Sequence, residues 1–210
     1  MITTLAQLRS LYAQPAERAL RKQLPALDAH CRRFVALAPL CLIASGGTDG
    51  ALLDVSPRGG PPGFVKVLDD GTLLLPDAGG NNRLDTLSNL LADARAALLF
   101  LIPGVDETLR VNGSARLRDE PEFLQRFAGE RQAPKLVIEL QVREAYLHCA
   151  KALMRSRLWS PEAIQPREVL PSLNRMIHDQ IGVQAEPEAQ ADMLRRYRAQ
   201  IAQEQGTQEH

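Results

Sequence analysis

Between positions 40 and 142 the chain is cut into short apolar runs by turns rich in glycine, proline and aspartate, and that punctuation limits the folds open to it. Residues 40–45 and 51–55 read as a hairpin about the turn Gly46-Gly47-Thr48-Asp49-Gly50. A Pro- and Gly-rich loop, residues 56–63, follows. Residues 64–68 and 72–75 form a second hairpin, with Asp70-Gly71 as its turn signal. Further strands are predicted at 97–102, 108–112, 114–118 and 135–142. Many short strands with brief turns and few helices between them imply an antiparallel barrel or sandwich. The one clear helix in this stretch spans 83–92, with Leu84, Leu87, Leu90 and Leu91 inward and Asn81 or Asn82 as its cap. A shorter one is expected at 122–127.

The flanks change period from two to 3.6. Thr4 can cap a short helix with Leu5, Leu8, Leu11 and Tyr12 on one face, and Pro15 suits the first turn of a second. Leu27, Cys31, Phe34 and Val35 follow the spacing of an amphipathic helix. At the other end Ile177 and Ile181 share a face, as do Met193, Tyr197 and Ile201, and the tail after Gln203 is polar. The expected organisation is a helical cap (1–38), a β core (39–150) and a helical extension (151–210), together one structural domain.

With 45% hydrophobic residues the chain can bury a sizeable core. Its 25 Lys and Arg balance 25 Asp and Glu. That neutrality argues against a nucleic-acid binder, whose hold on phosphate chains needs a basic surface. The cysteines, Cys31, Cys41 and Cys149, are odd in number and widely spaced, which supports neither a zinc site nor a disulfide framework. Free thiols fit a reducing compartment. No apolar run is long enough to span a membrane as a helix and no signal-peptide pattern opens the chain, so a cytoplasmic location with no membrane partner is expected.

Two loops suit an anion. In Asp54-Val55-Ser56-Pro57-Arg58-Gly59 an arginine, a hydroxyl and glycine N–H groups form a phosphate cradle, or an ordinary solvated turn. Gly79-Gly80-Asn81-Asn82-Arg83 precedes a helix, whose amino end attracts anions. Arg83 at that positive end is either a misfit that an anion would relieve or an arginine that snorkels outward. Lys66 interrupts an apolar strand, and alternation turns it to solvent. His148-Cys149-Ala150-Lys151 is a third cluster. Adjacent strand residues point to opposite faces, so His148 and Cys149 read as no dyad and Cys149 as a buried structural thiol. His30 and His178 have no ligand spacing, and no metal site is expected. Neither a dinucleotide fingerprint, a Walker loop nor a nucleophile elbow occurs.

Taken in order, several segments resemble one family. These are Asp54 to Gly59, Val67-Leu68-Asp69-Asp70-Gly71-Thr72 running on to Pro76-Asp77, and Asn82-Arg83-Leu84-Asp85-Thr86-Leu87-Ser88-Asn89-Leu90. Leu99 to Gly104, Glu107-Thr108-Leu109-Arg110-Val111-Asn112-Gly113 and His148-Cys149-Ala150-Lys151-Ala152-Leu153 with Arg155-Ser156 and Leu158-Trp159 extend the match. The series is similar to the pyridoxamine 5′-phosphate oxidase-related, FMN-binding split-barrel proteins, and within them to a bacterial subgroup of FMN-dependent enzymes of unassigned substrate. It covers roughly residues 30 to 165.

The resemblance implies a mainly β protein with flanking helices: a six-stranded antiparallel split β-barrel that forms a homodimer with FMN at the subunit interface. Ser56 and Arg58 would contact the flavin or its phosphate, Asn82 and Arg83 would grip the phosphate, and Thr108 would place a polar side chain on the flavin. Lys66 is carried over as a further contact. Lys151, Arg155 and Trp159 would approach flavin or small-molecule substrate from the partner. The implied activity is that of an FMN-dependent oxidoreductase. The alternatives are a non-catalytic flavin-binding or redox-sensing protein and a barrel for haem or a deazaflavin, with His148 as the residue to test for haem. Where the oxidases that name the family carry a Trp, Pro and Arg-Leu pattern, this chain has Trp159-Ser160-Pro161-Glu162, so the resemblance does not extend to pyridoxamine phosphate as substrate.

Overall fold

A computed structural model describes residues 1–48, 50–129 and 133–205. Asp49, within the first expected turn, and the tail beyond Gln205 lie outside these residues. The centre of the protein is one antiparallel sheet. Its strands are β1 (Leu40–Gly46), β2 (Leu53–Gly59), β3 (Lys66–Asp69), β4 (Thr72–Pro76), β5 (Arg95–Leu101), β6 (Thr108–Arg118) and β7 (Val137–His148). They pair in the order β2-β1-β5-β6-β7-β4-β3. Seven strands form where the resemblance implies six, because the four residues of β3 pair with β4 as an edge strand in their own right.

Alternation gives each strand an inner row. Cys41, Ile43 and Ser45 of β1 lie opposite Phe100, Leu98 and Ala96 of β5, and all six are buried. Leu98 and Phe100 pair in turn with Val111 and Leu109 of β6. Leu73, Leu75, Ile138, Leu140 and Ala145 join the same cluster, so strands from across the sheet bury one face in one core. Leu74, Val137 and Phe127 form a small second cluster on the other side.

Two strands run farther than their sequence suggests. The expected runs 108–112 and 114–118 are one strand, β6, because Gly113 accommodates a bulge rather than a break. Asn112 pairs with Glu144 and Gly113 with Val142, which leaves Arg143 as an extra residue in β7. Strand β2 continues through Ser56-Pro57-Arg58, which reads as loop in the sequence. Proline is tolerated there because β2 is an edge strand with a single neighbour.

The helices dress this sheet. α1 (Leu5–Arg9) and α2 (Glu17–Arg21) bury no residue, and Leu5, Leu8, Leu11 and Tyr12 are exposed. α2 begins two residues after Pro15, with Ala16 as its cap. α3 (Ala29–Leu37) buries Cys31 and Val35 as its spacing predicts. Between α2 and α3, Leu24 exchanges backbone hydrogen bonds with Ala145, covering part of β7 beyond its pairing with β4. α4 (Asp85–Ala92) turns Thr86, Leu87 and Leu90 inward, whereas Leu84 and Leu91, expected inside, are exposed. α5 (Pro121–Leu124) and α6 (Lys151–Ser156) are short. α7 (Leu173–Ile181) buries nothing, and α8 (Gln190–Glu204) buries Met193. No helix among the described residues is long and apolar enough to cross a membrane.

Asp28 caps α3 by accepting from the Cys31 N–H at 2.8 Å, and that bond holds its carboxyl below the usual range. Asp28→Ala should cost about 1 kcal/mol, as loss of a helix cap does. Because the folded pKa is depressed, the wild-type advantage is present above the ordinary aspartate pKa and lost as pH falls through the lowered one. Urea midpoints of both proteins near neutrality and in acid check this; a gap that persists in acid would refute it.

Candidate functional site

Two clusters occupy opposite faces of the sheet. The first lies on the inner face of β2, where Asp54, Ser56 and Arg58 alternate toward α4. Arg58 Nη2 donates to Thr86 Oγ1 at 3.2 Å, and the Thr86 hydroxyl donates to Ser56 Oγ at 3.4 Å. Asn89, one turn on, donates from Nδ2 to Asp54 at 2.8 Å and to buried Ser45 at 3.2 Å, which fixes α4 against β1 and β2. The buried side of α4 therefore presents a polar pair three residues apart. That spacing is legible in the sequence, although nothing there marks Thr86 or Asn89 as facing β2.

The cap of α4 is Leu84, not Asn81 or Asn82, and among the described residues the helix has no side-chain cap hydrogen bond. By helix geometry its first N–H groups have no intrahelical acceptor. Asn82 and Leu84 both hold left-handed backbone, each with φ 59°. Asn81 Oδ1 accepts from the Arg83 N–H at 3.0 Å. Arg83 is exposed and donates to Asp85 from Nε at 2.8 Å and Nη2 at 3.3 Å, which relieves the charge misfit seen in the sequence. Ser56, Arg58, Asn82 and Arg83 thus belong to one end of the α4 and β2 pair.

The second cluster is a groove of about 620 Å³ on the outer face. Leu42, Ala44, Val55, Ala97, Leu99 and Leu101 supply its apolar lining. Thr108, Arg110, His148 and, from α6, Lys151 and Arg155 supply the polar part, with Asp106 the one carboxylate. The volume suits a small-molecule site, which ranges over about 300–1,000 Å³. Cys149 also lines it and is exposed, not the buried thiol expected, because β7 ends at His148 and the chain turns into α6. Burial pushes the other two thiols up, Cys31 to about 11 and Cys41 to about 12. Trp159 does not line the groove. Its indole N–H donates to the Val105 carbonyl at 3.0 Å, pinning the segment after α6 beside Asp106. Lys66 opens β3 at the opposite end of the strand order from β2 and does not line the groove either.

A sequence profile described as pyridoxamine 5′-phosphate oxidase matches residues 27–149, more than half of the chain. The chain belongs to this family. The match runs from just before α3 to the end of β7, so it takes in both β2 with α4 and the floor of the groove. No curated protein is significantly similar. Among solved structures, the chain is similar in fold to HupZ of Group A Streptococcus (14% identity over 55% of this chain and 89% of that one, TM-score 0.45). An FMN-binding protein from Syntrophomonas wolfei is 12% identical over 56% and 83%, with TM-score 0.45. An FAD binding protein from Mycobacterium smegmatis is 15% identical over 59% and 98%, with TM-score 0.40. At these identities the likeness concerns the fold alone.

Proposed function

We propose that this protein binds FMN between two copies of itself, each a split barrel, and acts as a cytoplasmic FMN-dependent oxidoreductase. The observation that carries the reading is the convergence of Ser56 and Arg58 on Thr86 at the first turn of a helix that no side chain caps. A hydroxyl pair, a guanidinium and free backbone N–H groups are the donors a phosphate needs. Arg83 can add a second guanidinium, since its exposed pair with Asp85 contributes little to stability. Asn82 stands beside it.

The groove fits a flat ring system, with an apolar floor and polar groups at one end. Strand alternation, however, sends Ser56 and Arg58 to one face and Val55 to the other, so one chain does not close both clusters on a single flavin. A second copy resolves this: one protomer holds the phosphate, while Thr108, Lys151 and Arg155 of the partner subunit flank the ring. Trp159 acts there as a brace for the α6 segment through Val105.

Bound FMN supplies hydride and electron transfer. Around it the chain's own residues anchor the phosphate, while the apolar floor of Leu42, Ala44 and Leu99 excludes water. Neither role requires a side-chain acid or base. The test is the visible spectrum of the purified protein after addition of FMN and gel filtration. Retained flavin absorption near one FMN per chain is expected; a protein that stays colourless overturns the proposal. His148 faces the groove, which makes haem the second reading, and the same spectrum would show it as a Soret band.

A further inference from the structure

Beyond the stretch that the family profile matches, the chain comes back to the loop that leads into α4. α8 is 15 residues long, a span of about 22 Å at 1.5 Å per residue. Its first turn is anchored by Met193, which is buried. Glu188, just before it, accepts from Arg196 Nη2 at 2.8 Å and from Asn174 Nδ2 at 3.2 Å, which ties α8 to α7. Farther along the helix Tyr197 and Ile201 are exposed, yet Glu204 in the last turn is half-buried. The loop before α4 lies against it. A β-carbon on Gly79 would have Glu204 Oε1 as its nearest atom, at 3.1 Å, whereas one on Gly80 would meet nothing within 4 Å. A side chain at 79 would push the carboxylate back, so glycine there permits the close approach. Glu204 makes no hydrogen bond or ion pair among the described residues, and its negative charge has no local partner.

We propose that Glu204 is a specificity-determining residue of the phosphate site at α4: its carboxylate closes the Gly79 side of the loop to further negative charge. Ser56, Arg58 and Thr86 enclose the phosphate from the side of β2 and the first turn of α4. An ester on its remaining oxygen must then leave past the loop, toward Glu204. The site accepts a terminal phosphate and rejects a diphosphate, which favours FMN over FAD. Repulsion between like charges a few ångströms apart at a protein edge is enough for about a tenfold discrimination. The inference rests on the phosphate site proposed above and adds which phosphate esters that site admits.

Calorimetric titration of the full-length protein with FMN, FAD, inorganic phosphate and pyrophosphate tests it. Wild type should bind FMN about tenfold more tightly than FAD, or better. Glu204→Gln should strengthen FAD and pyrophosphate binding about tenfold, and FMN and phosphate binding about threefold at most. Glu204→Lys should move the FMN-to-FAD ratio farther in the same direction. These gains should shrink in about 1 M salt, where the screening length falls to about 3 Å. Equal affinity of wild type for the two flavins, an unchanged ratio in both variants, or gains undiminished by salt would overturn the proposal. A protein that retains neither flavin, but tells phosphate from pyrophosphate through Glu204, would uphold the role of Glu204 and refute the flavin reading.

Discussion

Gly113→Ala should lower the unfolding free energy by about 3 kcal/mol or more, at the upper end of what overpacking costs. A β-carbon there would lie 2.1 Å from the Gln141 carbonyl oxygen and 2.9 Å from its carbon. Both are backbone atoms, so no side-chain rotation relieves the clash. β6 and β7 would have to separate at the step where Arg143 is inserted, and they are the two longest strands of the sheet. Urea unfolding measures the effect, with Gly80→Ala as the control, since nothing lies within 4 Å of a β-carbon at that position. Equal stability of Gly113→Ala and wild type would show that the close approach does not hold the bulge.

The double substitution Arg58→Ala with Arg83→Ala should reduce FMN affinity roughly a thousandfold, the product of two charge-assisted contacts of about 1.5–3 kcal/mol each. The fold should survive. The Arg83 side chain is 71% exposed and its partner Asp85 44%, and exposed ion pairs contribute at most about 1 kcal/mol. Thr86, relieved of Arg58, still bonds Ser56. Riboflavin, which has no phosphate, should bind the variant and the wild type alike. Unchanged FMN affinity would remove the basis for placing the phosphate at α4.

Much of the fold is legible in the sequence because its signals are local. The Asp70-Gly71 turn, the spacing of Cys31 and Val35, and the short apolar runs of β1 and β5 each depend on neighbours a few residues away. What the sequence hides is set by distant partners. Pro57 reads as a loop residue until β2 is known to have one neighbour. Gly113 reads as a break until Gln141 is seen behind it. Leu84 and Leu91 fit the apolar period of α4, but the sheet covers the face of Thr86, Leu87 and Leu90 instead. The candidate site divides in the same way. Ser56, Arg58 and Arg83 stand out as arginines and hydroxyls beside glycines. Arg110 looks like a routine outward position on a strand, and its place in the groove is seen only once β6 is paired with β5 and β7.

Leu84 carries a consequence of its own. A β-branched-free but bulky residue in left-handed backbone costs about 1–2 kcal/mol, whereas glycine would adopt the same φ freely. Selection for heat resistance alone would therefore favour glycine at 84, and the gain would come with a looser entry into α4. The thermal optimum of this sequence and the rigidity of the entry into α4 are opposed at a single exposed leucine.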